Sequence, residues 1–211
     1  MSAHHITRVL VVLSVPVVLG GAQPDVPSAH AGTCPDVQVV FARGTGEDGL
    51  GEVGQTFVDA LKSRVAGRSI EVYPVNYPAS AGFPVSSKQG ADDTSAHVQS
   101  MVAGCPDTRM VLGGYSQGAG VIDWASTLMP KQVADHVAAV ALFGNPSSII
   151  ATALSGGYPP ISPLYSAKTI DLCAPGDPTC SIGLNALAHG TYVESGMTTQ
   201  AATFVASRLQ R

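Results

Sequence analysis

Apolar positions along the chain fall into short continuous runs separated by longer segments with a helical period. The short runs predict five strands, over residues 37–42, 70–75, 109–114, 137–143 and 168–172. The periodic segments predict helices over residues 52–65, 91–103, 119–128 and 197–209, whereas a stretch rich in Ser, Gly and Pro at 78–90 predicts a loop. Strands that alternate with helices favour a parallel sheet covered on both faces, which is a three-layer α/β domain.

Composition adds limits to this picture. A chain of 211 residues with 45% hydrophobic residues can form one well-buried core, and nothing in its length requires a second domain. The 11 basic and 15 acidic side chains give a net charge of -4, and no run of like charge occurs. Nucleic acid is therefore not an expected partner.

The N-terminal residues differ from the rest of the chain. Arg8 precedes an apolar run over residues 9–19, and Ala29, His30 and Ala31 form a small-x-small sequence typical of a signal-peptide cleavage site. A membrane anchor is the alternative, but the run is well short of the roughly 20 residues that span a bilayer. The pattern predicts a signal peptide over residues 1–31, secretion, and a mature domain over residues 32–211 without a transmembrane segment.

All four cysteines lie in the predicted mature domain, where an even number indicates disulfides. Three pairings are open. The short loop with Pro and Gly between Cys173 and Cys180 favours their mutual pairing, which leaves Cys34 with Cys105. A zinc site is the alternative, but it requires a Cys-x-x-Cys spacing or nearby histidines that the sequence lacks. No metal and no cofactor is expected.

The pentapeptide Gly114-Tyr115-Ser116-Gln117-Gly118 matches G-x-S-x-G, the sequence of a sharp strand-to-helix turn that exposes a nucleophilic serine. A predicted strand precedes Ser116 and a predicted helix follows it. Its hydroxyl would therefore stand at the carboxyl end of the sheet, beside a helix N-terminus. An ordinary turn with a capping serine is the alternative. The context favours Ser116 as a nucleophile.

A serine hydroxyl needs a base that takes its proton, and the chain order serine, acid, histidine is usual for this architecture. His97 precedes the serine, and only acids too close in sequence to form a separate loop lie between the serine and His136. His189 lies in a Gly-containing loop between the last predicted strand and the last helix. We therefore predict His189 as the general base, with a partly buried surface histidine as the alternative.

Two acids, Asp171 and Asp177, lie between the serine and His189 in sequence. Asp171 falls inside the fifth predicted strand, whereas Asp177 occupies the turn-rich loop between Cys173 and Cys180. A disulfide around that loop would limit its motion and preserve the hydrogen bond that orients the imidazole. Asp177 is the predicted acid, and a plain Asp-Pro turn is the alternative.

Acyl transfer also requires donors for the negative charge that develops on the carbonyl oxygen. The backbone N–H of Gln117, directly after the nucleophile, is the first candidate. The second is expected in the loop after the first strand, where Thr45 offers an N–H and a hydroxyl. Thr45 as a simple turn residue is the alternative.

Together these residues resemble the cutinase family of serine esterases, and the similarity spans essentially the whole mature chain. The matching pieces are residues 39–47, 114–118, 143–146, and 173–189 with Asp177 among them. The resemblance implies a lidless three-layer α/β-hydrolase fold with a five-stranded parallel sheet. It also implies Ser116, Asp177 and His189 as the triad and Thr45 and Gln117 as the oxyanion hole. The disulfides it implies are Cys34–Cys105 and Cys173–Cys180.

One departure from the family pattern is Thr45, because fungal cutinases usually carry Ser there; the hydroxyl is retained. The sequence looks more like the actinobacterial, especially the mycobacterial, cutinase-like proteins. Members of that branch look like esterases, lipases or phospholipases that act on lipids, so a plant polyester need not be the natural substrate.

These observations predict an extracellular or cell-envelope-associated carboxylic ester hydrolase that cleaves fatty acyl esters as a monomer. Apolar residues near the catalytic loops are candidates to line an acyl groove or to contact a lipid–water interface, with ordinary packing as the alternative: Phe83, Pro84, Val85, Ile182, Leu184 and Leu187. A carbohydrate deacetylase of the acetylxylan type is the rival enzyme. A catalytically silent binding protein or antigen would carry a substituted triad residue, which the sequence does not.

Overall fold

Five parallel strands form the centre of the computed structural model, which describes residues 34–210 together with Met1. The strands are β1 (Val37–Ala42), β2 (Ile70–Pro74), β3 (Arg109–Tyr115), β4 (Val137–Phe143) and β5 (Thr169–Leu172). Their order across the sheet is β2-β1-β3-β4-β5, and every neighbouring pair is parallel. The predicted five-stranded parallel sheet is confirmed, and each strand end lies within one residue of its predicted position.

Helices cover both faces of the sheet. In the described region the α-helices are α1 (Gly51–Lys62), α2 (Phe83–Gly104), α3 (Gln117–Leu128), α4 (Lys131–His136), α5 (Ile149–Ser155), α6 (Pro163–Ser166) and α7 (Met197–Leu209). A 3-10 helix, η1, spans Ala186–Gly190. Helices α1 and α7 pack on one face, and α2 and α3 pack on the other.

Two apolar clusters, one on each face, give the domain its three layers. On the α1 and α7 face, Phe41, Phe57 and Phe143 pack with ring centroids 5.8–6.5 Å apart. On the other face, Leu112 and Val140 are buried in the cluster that includes α2 and α3. Strands β1 and β4 are buried along their whole length, which explains their continuous apolar sequences, whereas the edge strands β2 and β5 are partly exposed.

Helix α2 begins at Phe83, well before the predicted start at residue 91, so the loop prediction for residues 83–90 is wrong. Pro84 lies in the first turn, where a missing N–H removes no helical hydrogen bond. Gly90 is needed for close packing, because a Cβ there would come within 3.0 Å of Tyr77 and Val121. Pro84 and Gly90, which favoured a loop, therefore belong to a helix that packs closely against its neighbours.

Helices α4, α5 and α6 lie in stretches for which the sequence analysis predicted no element. Helix α5 is the one that contributes to the site described below. The Ser148 hydroxyl accepts a hydrogen bond from the Ala151 N–H at 3.0 Å and caps its start. Gly156 ends the helix with a left-handed backbone, at φ 80°.

Disulfides join Cys34 with Cys105 and Cys173 with Cys180, the same pairs that the sequence favoured. The first connects the segment before β1 with the end of α2, across a sequence separation of 71 residues. The second closes a short loop after β5, with a separation of 7 residues. The two bonds therefore constrain very different lengths of chain.

The predicted signal peptide, residues 1–31, lies outside the described residues, apart from Met1. The predicted start of the mature domain, residue 32, also lies before Cys34, the first residue of the domain that the structure describes. Within the described residues, no helix is both long and apolar enough to cross a bilayer.

Candidate active site

Ser116 lies at the sharp turn between β3 and α3, at the carboxyl end of the sheet. Its φ of 54° and ψ of -121° form a left-handed conformation that non-glycine residues rarely adopt. The flanking glycines make this turn possible. A Cβ on Gly114 would clash with the carbonyl group of Gly118, and a Cβ on Gly118 would clash with that of Ala42. The G-x-S-x-G segment thus passes too close to neighbouring backbone for a side chain at either position.

Ser116, His189 and Asp177 form a continuous hydrogen-bonded chain. His189 Nε2 lies 2.8 Å from Ser116 Oγ, and His189 Nδ1 lies 2.8 Å from Asp177 Oδ2. Asp177 is fully buried, whereas the side chain of His189 is 26% exposed. The chain therefore runs from a buried carboxylate to a partly exposed serine hydroxyl.

Asp177 lies in the disulfide-closed loop after β5 and accepts hydrogen bonds at both carboxylate oxygens. The Thr179 N–H donates to Oδ1 at 2.8 Å, and the Tyr192 hydroxyl donates to Oδ2 at 2.6 Å. Burial by itself raises the pKa of Asp177, but hydrogen bonds from Tyr192, His189 and Thr179 outweigh burial and lower the pKa below its ordinary value. Asp177 is therefore ionised at neutral pH.

His189 lies in η1 between two tyrosines. The Tyr115 ring stacks on the imidazole, with centroids 5.1 Å apart and an interplanar angle of 25°, and the Tyr115 hydroxyl donates to the His189 carbonyl oxygen at 2.6 Å. Tyr192 approaches the imidazole edge-on at 6.3 Å. These contacts fix both the ring and the backbone of His189. The sequence analysis gave neither tyrosine a role, although Tyr115 belongs to the G-x-S-x-G segment.

Residues 43–47, which we name the β1 loop, bring Thr45 to the start of α3. The Thr45 hydroxyl donates to Gln117 Oε1 at 3.0 Å. Arg43 holds the loop by donating to the carbonyl oxygens of Val75 and Tyr77 at 3.2 and 2.7 Å. The β1 loop is therefore attached to the segment after β2 as well as to α3. A supporting role for Arg43 was not predicted from the sequence.

A largely apolar cavity of about 210 Å³ opens beside Ser116. It is lined by Thr45, Ser116 and Gln117 and by a second group of side chains: Phe83, Pro146, Ile150, Ala151, Leu154, Ser155, Tyr158, Pro178 and Thr179. Residues 146–158, which include α5, supply six of these, and we name this segment the α5 wall. The sequence analysis did not predict the α5 wall, although the Ser148 cap and Gly156 stop of α5 were readable signals.

The predicted groove residues separate into two groups. Phe83 is among the residues that line the cavity. Val85, Ile182, Leu184 and Leu187 are not among its lining residues and are 68%, 96%, 86% and 83% exposed. Their side chains extend into solvent, so a groove that includes these four residues stays a prediction.

Asp171 and His136, which the sequence analysis considered and did not choose as acid and base, are not part of the hydrogen-bonded chain. The Asn145 amide donates to Asp123 at 2.9 Å and to Asp171 at 3.2 Å. Burial raises the pKa of Asp123 to about 7, although the hydrogen bond from Asn145 opposes this shift, and burial also raises the pKa of Asp171. His136 ends α4 directly before β4, at the amino end of the sheet.

A serine on a sharp turn at the carboxyl edge of a parallel sheet, backed by an imidazole and a buried carboxylate, defines the class: an α/β-hydrolase of the serine esterase type. The cutinase family model matches residues 33–209. The chain therefore belongs to the cutinase family, and the resemblance noted from the sequence is confirmed.

Individual relatives agree with this assignment. The carboxylesterase Culp1 of Mycobacterium tuberculosis is 57% identical over 213 residues, which cover 99% of this chain and 98% of that protein. A Trichoderma reesei cutinase, solved in complex with a phosphonate inhibitor, is 34% identical with a TM-score of 0.71, and the match covers 84% of this chain and 78% of that one. An acetyl xylan esterase is 28% identical with a TM-score of 0.71, covering 84% and 100% of the two chains.

Proposed function

We propose that this protein is a secreted carboxylic ester hydrolase that cleaves fatty acyl esters through an acyl-enzyme on Ser116. The observation that carries the proposal is the hydrogen-bonded chain from Asp177 through His189 to Ser116, with both bonds at 2.8 Å. These distances are within the range that proton transfer between a nucleophile and its base requires.

The reaction proceeds in two halves. Ser116 Oγ forms a bond to the ester carbonyl carbon while His189 Nε2 takes the hydroxyl proton. The tetrahedral intermediate collapses, the bond to the alcohol oxygen breaks, and the imidazolium gives its proton to that oxygen. Water then attacks the acyl-enzyme with His189 again as base, which releases the carboxylic acid and regenerates Ser116. Asp177 stays ionised and stabilises the imidazolium that forms in each half.

Gln117 and Thr45 are the proposed donors to the oxyanion. Gln117 is the first residue of α3, and the first N–H groups of a helix have no partner inside the helix. Its backbone N–H is therefore available directly beside Ser116, where the helix N-terminus also favours negative charge. At Thr45 the proposed donor is the backbone N–H, because the hydroxyl already donates to the Gln117 side chain.

The cavity beside Ser116 supports an acyl substrate. Phe83, Ile150 and Leu154 supply apolar surface on which an alkyl chain can be buried. The volume of about 210 Å³ is below the roughly 300–1,000 Å³ of pockets that enclose drug-sized ligands. We therefore expect the cavity to hold the part of the acyl chain nearest the ester and a longer chain to extend over its margin.

Exposed apolar side chains in the segments that contain or follow the cavity-lining residues support action at a lipid–water interface. Six large ones are strongly exposed: Val85, Ile149, Leu154, Ile182, Leu184 and Leu187. Residues 137–167 include no Asp, Glu, Lys or Arg, and Asp177 is the one charged residue between 172 and 188 and is buried. Uncharged segments that expose large apolar side chains fit contact with lipid better than contact with bulk water. The leader-like sequence and the two disulfides support secretion.

The test is hydrolysis of p-nitrophenyl esters from acetate to palmitate by residues 32–211. Ser116→Ala is expected to lower kcat by about 10⁴-fold or more. Ser100→Ala, a matched change at an exposed serine near the end of α2, is expected to leave kcat unchanged. An organophosphate is expected to titrate the wild-type chain stoichiometrically and to leave Ser116→Ala unlabelled.

The chain-length profile separates the proposal from its rivals. A maximum at medium or long chains supports a fatty acyl ester hydrolase. A maximum at acetate favours a carbohydrate deacetylase, the second candidate because of the similarity to an acetyl xylan esterase. No hydrolysis by folded, oxidised protein would contradict both enzymes and leave a catalytically silent binding protein.

A further inference from the structure

A chain of side-chain hydrogen bonds connects the α5 wall with the β1 loop. The Tyr158 hydroxyl lies 2.8 Å from Ser87 Oγ, and Gln117 Nε2 donates to the same Ser87 oxygen at 3.1 Å. At its other end, the Gln117 carboxamide accepts from the Thr45 hydroxyl at 3.0 Å. Four residues from four separate segments are thereby joined in a row.

The orientation of the Gln117 carboxamide is fixed by its surroundings. Gln117 Nε2 faces two acceptors, Ser87 Oγ and the Ser80 carbonyl oxygen at 3.2 Å, so the amide oxygen must point at Thr45. Gln117 and Ser87 are 2% and 0% exposed. A buried amide with all its partners satisfied is held firmly, because any movement would leave polar groups unpaired. The position of Gln117 therefore limits where Thr45 can lie.

Tyr158 is guided to this chain by the backbone before it. Gly156 and Gly157 have φ of 80° and 82°, which turns the chain sharply after α5. The Tyr158 ring then packs against Gly120, where a Cβ would come within 2.6 Å of it. Gly120 lies one helical turn after Ser116, so Tyr158 lines the cavity and also contacts the helix that begins at the nucleophile.

We propose that Tyr158 is a positioning residue for the oxyanion hole: its hydroxyl, through Ser87 and the Gln117 carboxamide, holds Thr45 where its N–H meets the developing negative charge. The proposal rests on the esterase function proposed above. A preorganised oxyanion donor typically contributes about 100- to 1,000-fold in rate. Loosening one end of the chain displaces the donor rather than removing it, so a smaller loss, about 10-fold in kcat, is expected.

The experiment compares Tyr158→Phe, Ser87→Ala and the double variant on two esters, p-nitrophenyl acetate and p-nitrophenyl octanoate. Tyr158→Phe keeps the ring that lines the cavity and removes only the hydroxyl. Acetate is too short to lie along the α5 wall, so a loss on acetate reports positioning and not lost acyl contact. Tyr73→Phe is the matched control, because the Tyr73 hydroxyl bonds Asp93 at 3.0 Å, outside this chain.

The expected result is a fall in kcat of about 10-fold for each single variant on both esters, with KM changed less than about twofold. Because both variants break the same connection, the double variant is expected to lose no more than either single one. A loss confined to octanoate and to KM, additive losses, or unchanged kcat in Tyr158→Phe would overturn the proposal. Hydrolysis by wild-type protein and its loss in Ser116→Ala test the esterase function separately, and thermal midpoints confirm that each variant is folded.

Discussion

The segment that carries the acid and the base differs sharply from the neighbouring α5 wall. Asp177 is fully buried and accepts hydrogen bonds from Thr179, Tyr192 and His189 within a disulfide-closed loop. The α5 wall instead presents Ile150 and Leu154, which are 47% and 72% exposed. One side of the site is fixed by directional polar contacts, and the other side offers apolar surface to solvent.

This difference separates the chemistry from the choice of substrate. Proton transfer requires distances accurate to a few tenths of an ångström, and buried hydrogen bonds supply that accuracy. The apolar side chains of the wall, such as Ile150 and Leu154, contact an acyl chain without directional bonds, so they can change size while the catalytic geometry persists. Tyr158, at the end of the wall, is the exception, because its hydroxyl bonds Ser87. The predictions below challenge this division, beginning with the largest expected effect.

Asp177→Asn is expected to lower kcat by about 10⁴-fold at neutral pH and to change KM little. The amide cannot stabilise the imidazolium and can favour the tautomer that leaves Nε2 protonated. Steady-state kinetics on p-nitrophenyl butyrate measure the loss. Asp171→Asn, which changes the neighbouring acid on β5, is the matched control and is expected to retain kcat within a few fold. A similar loss in both variants would show that the two acids are not distinguished as proposed.

Removal of the Cys34–Cys105 disulfide is expected to cost more stability, whereas removal of the Cys173–Cys180 disulfide is expected to cost more activity. On the chain-entropy model, Cys34→Ser with Cys105→Ser costs about 4 kcal/mol because the closed loop spans 71 residues. Cys173→Ser with Cys180→Ser costs only about 2 kcal/mol for 7 residues, but it frees the Asp177 loop and is expected to lower kcat about 10-fold. Denaturant unfolding and kinetics on the same samples measure both quantities. Equal activity in the two variants would contradict a catalytic role for the second disulfide.

Asp123→Asn is expected to stabilise the protein above neutral pH, because burial disfavours the charged form of Asp123. Asp123 shares the Asn145 amide with Asp171 just before the α5 wall. Burial raises the folded-state pKa of Asp123 from 3.8 to about 7, so the folded state binds the proton more tightly and wild-type stability falls as pH rises between about 4 and 7. We expect the variant to exceed wild type by about 1 to 3 kcal/mol at pH 8 and by much less at pH 4. A pH-independent difference in unfolding free energy would refute this account.

Leu154→Ala is expected to lower kcat/KM for p-nitrophenyl octanoate about three- to tenfold and to leave acetate unchanged. Leu154 lines the cavity, so its truncation removes apolar contact with a longer acyl chain. Ile182→Ala is the comparison, because Ile182 is 96% exposed and does not line the cavity. On soluble esters Ile182→Ala is expected to behave as wild type. An equal loss on acetate would place Leu154 in the catalytic machinery instead of the substrate wall.

The sequence was most informative where a local pattern has one physical meaning. The continuous apolar runs became strands, because only a sheet covered on both faces buries every side chain of β1 and β4. Ser116 was recognisable from a glycine pattern that its left-handed backbone demands. In the structure His189 lies within hydrogen-bonding distance of Asp177 through one ring nitrogen and of Ser116 through the other.

The sequence was least informative where a role depends on distant contacts. Tyr115 meets the His189 carbonyl oxygen across 74 positions, and Ser87 meets Tyr158 across 71, and no local period records either pair. The early start of α2 was missed because Gly and Pro were weighed as helix breakers, whereas close packing against neighbouring helices favours Gly90 in this helix. Packing overrode propensity at that position.

The parallel arrangement of β1 has a practical consequence for attaching the protein to a surface. Cys34 lies just before the amino end of β1, while Thr45 follows its carboxyl end, and a strand of 6 residues separates the two ends by about 20 Å at about 3.3 Å per residue. A tether attached before Cys34 would leave the domain at the amino end of β1, and Ser116 lies at the carboxyl end of the sheet. Beads or electrodes loaded in this way would present the hydrolytic face outward, and the 34–105 crosslink would transmit the pull to α2 rather than to the catalytic turn.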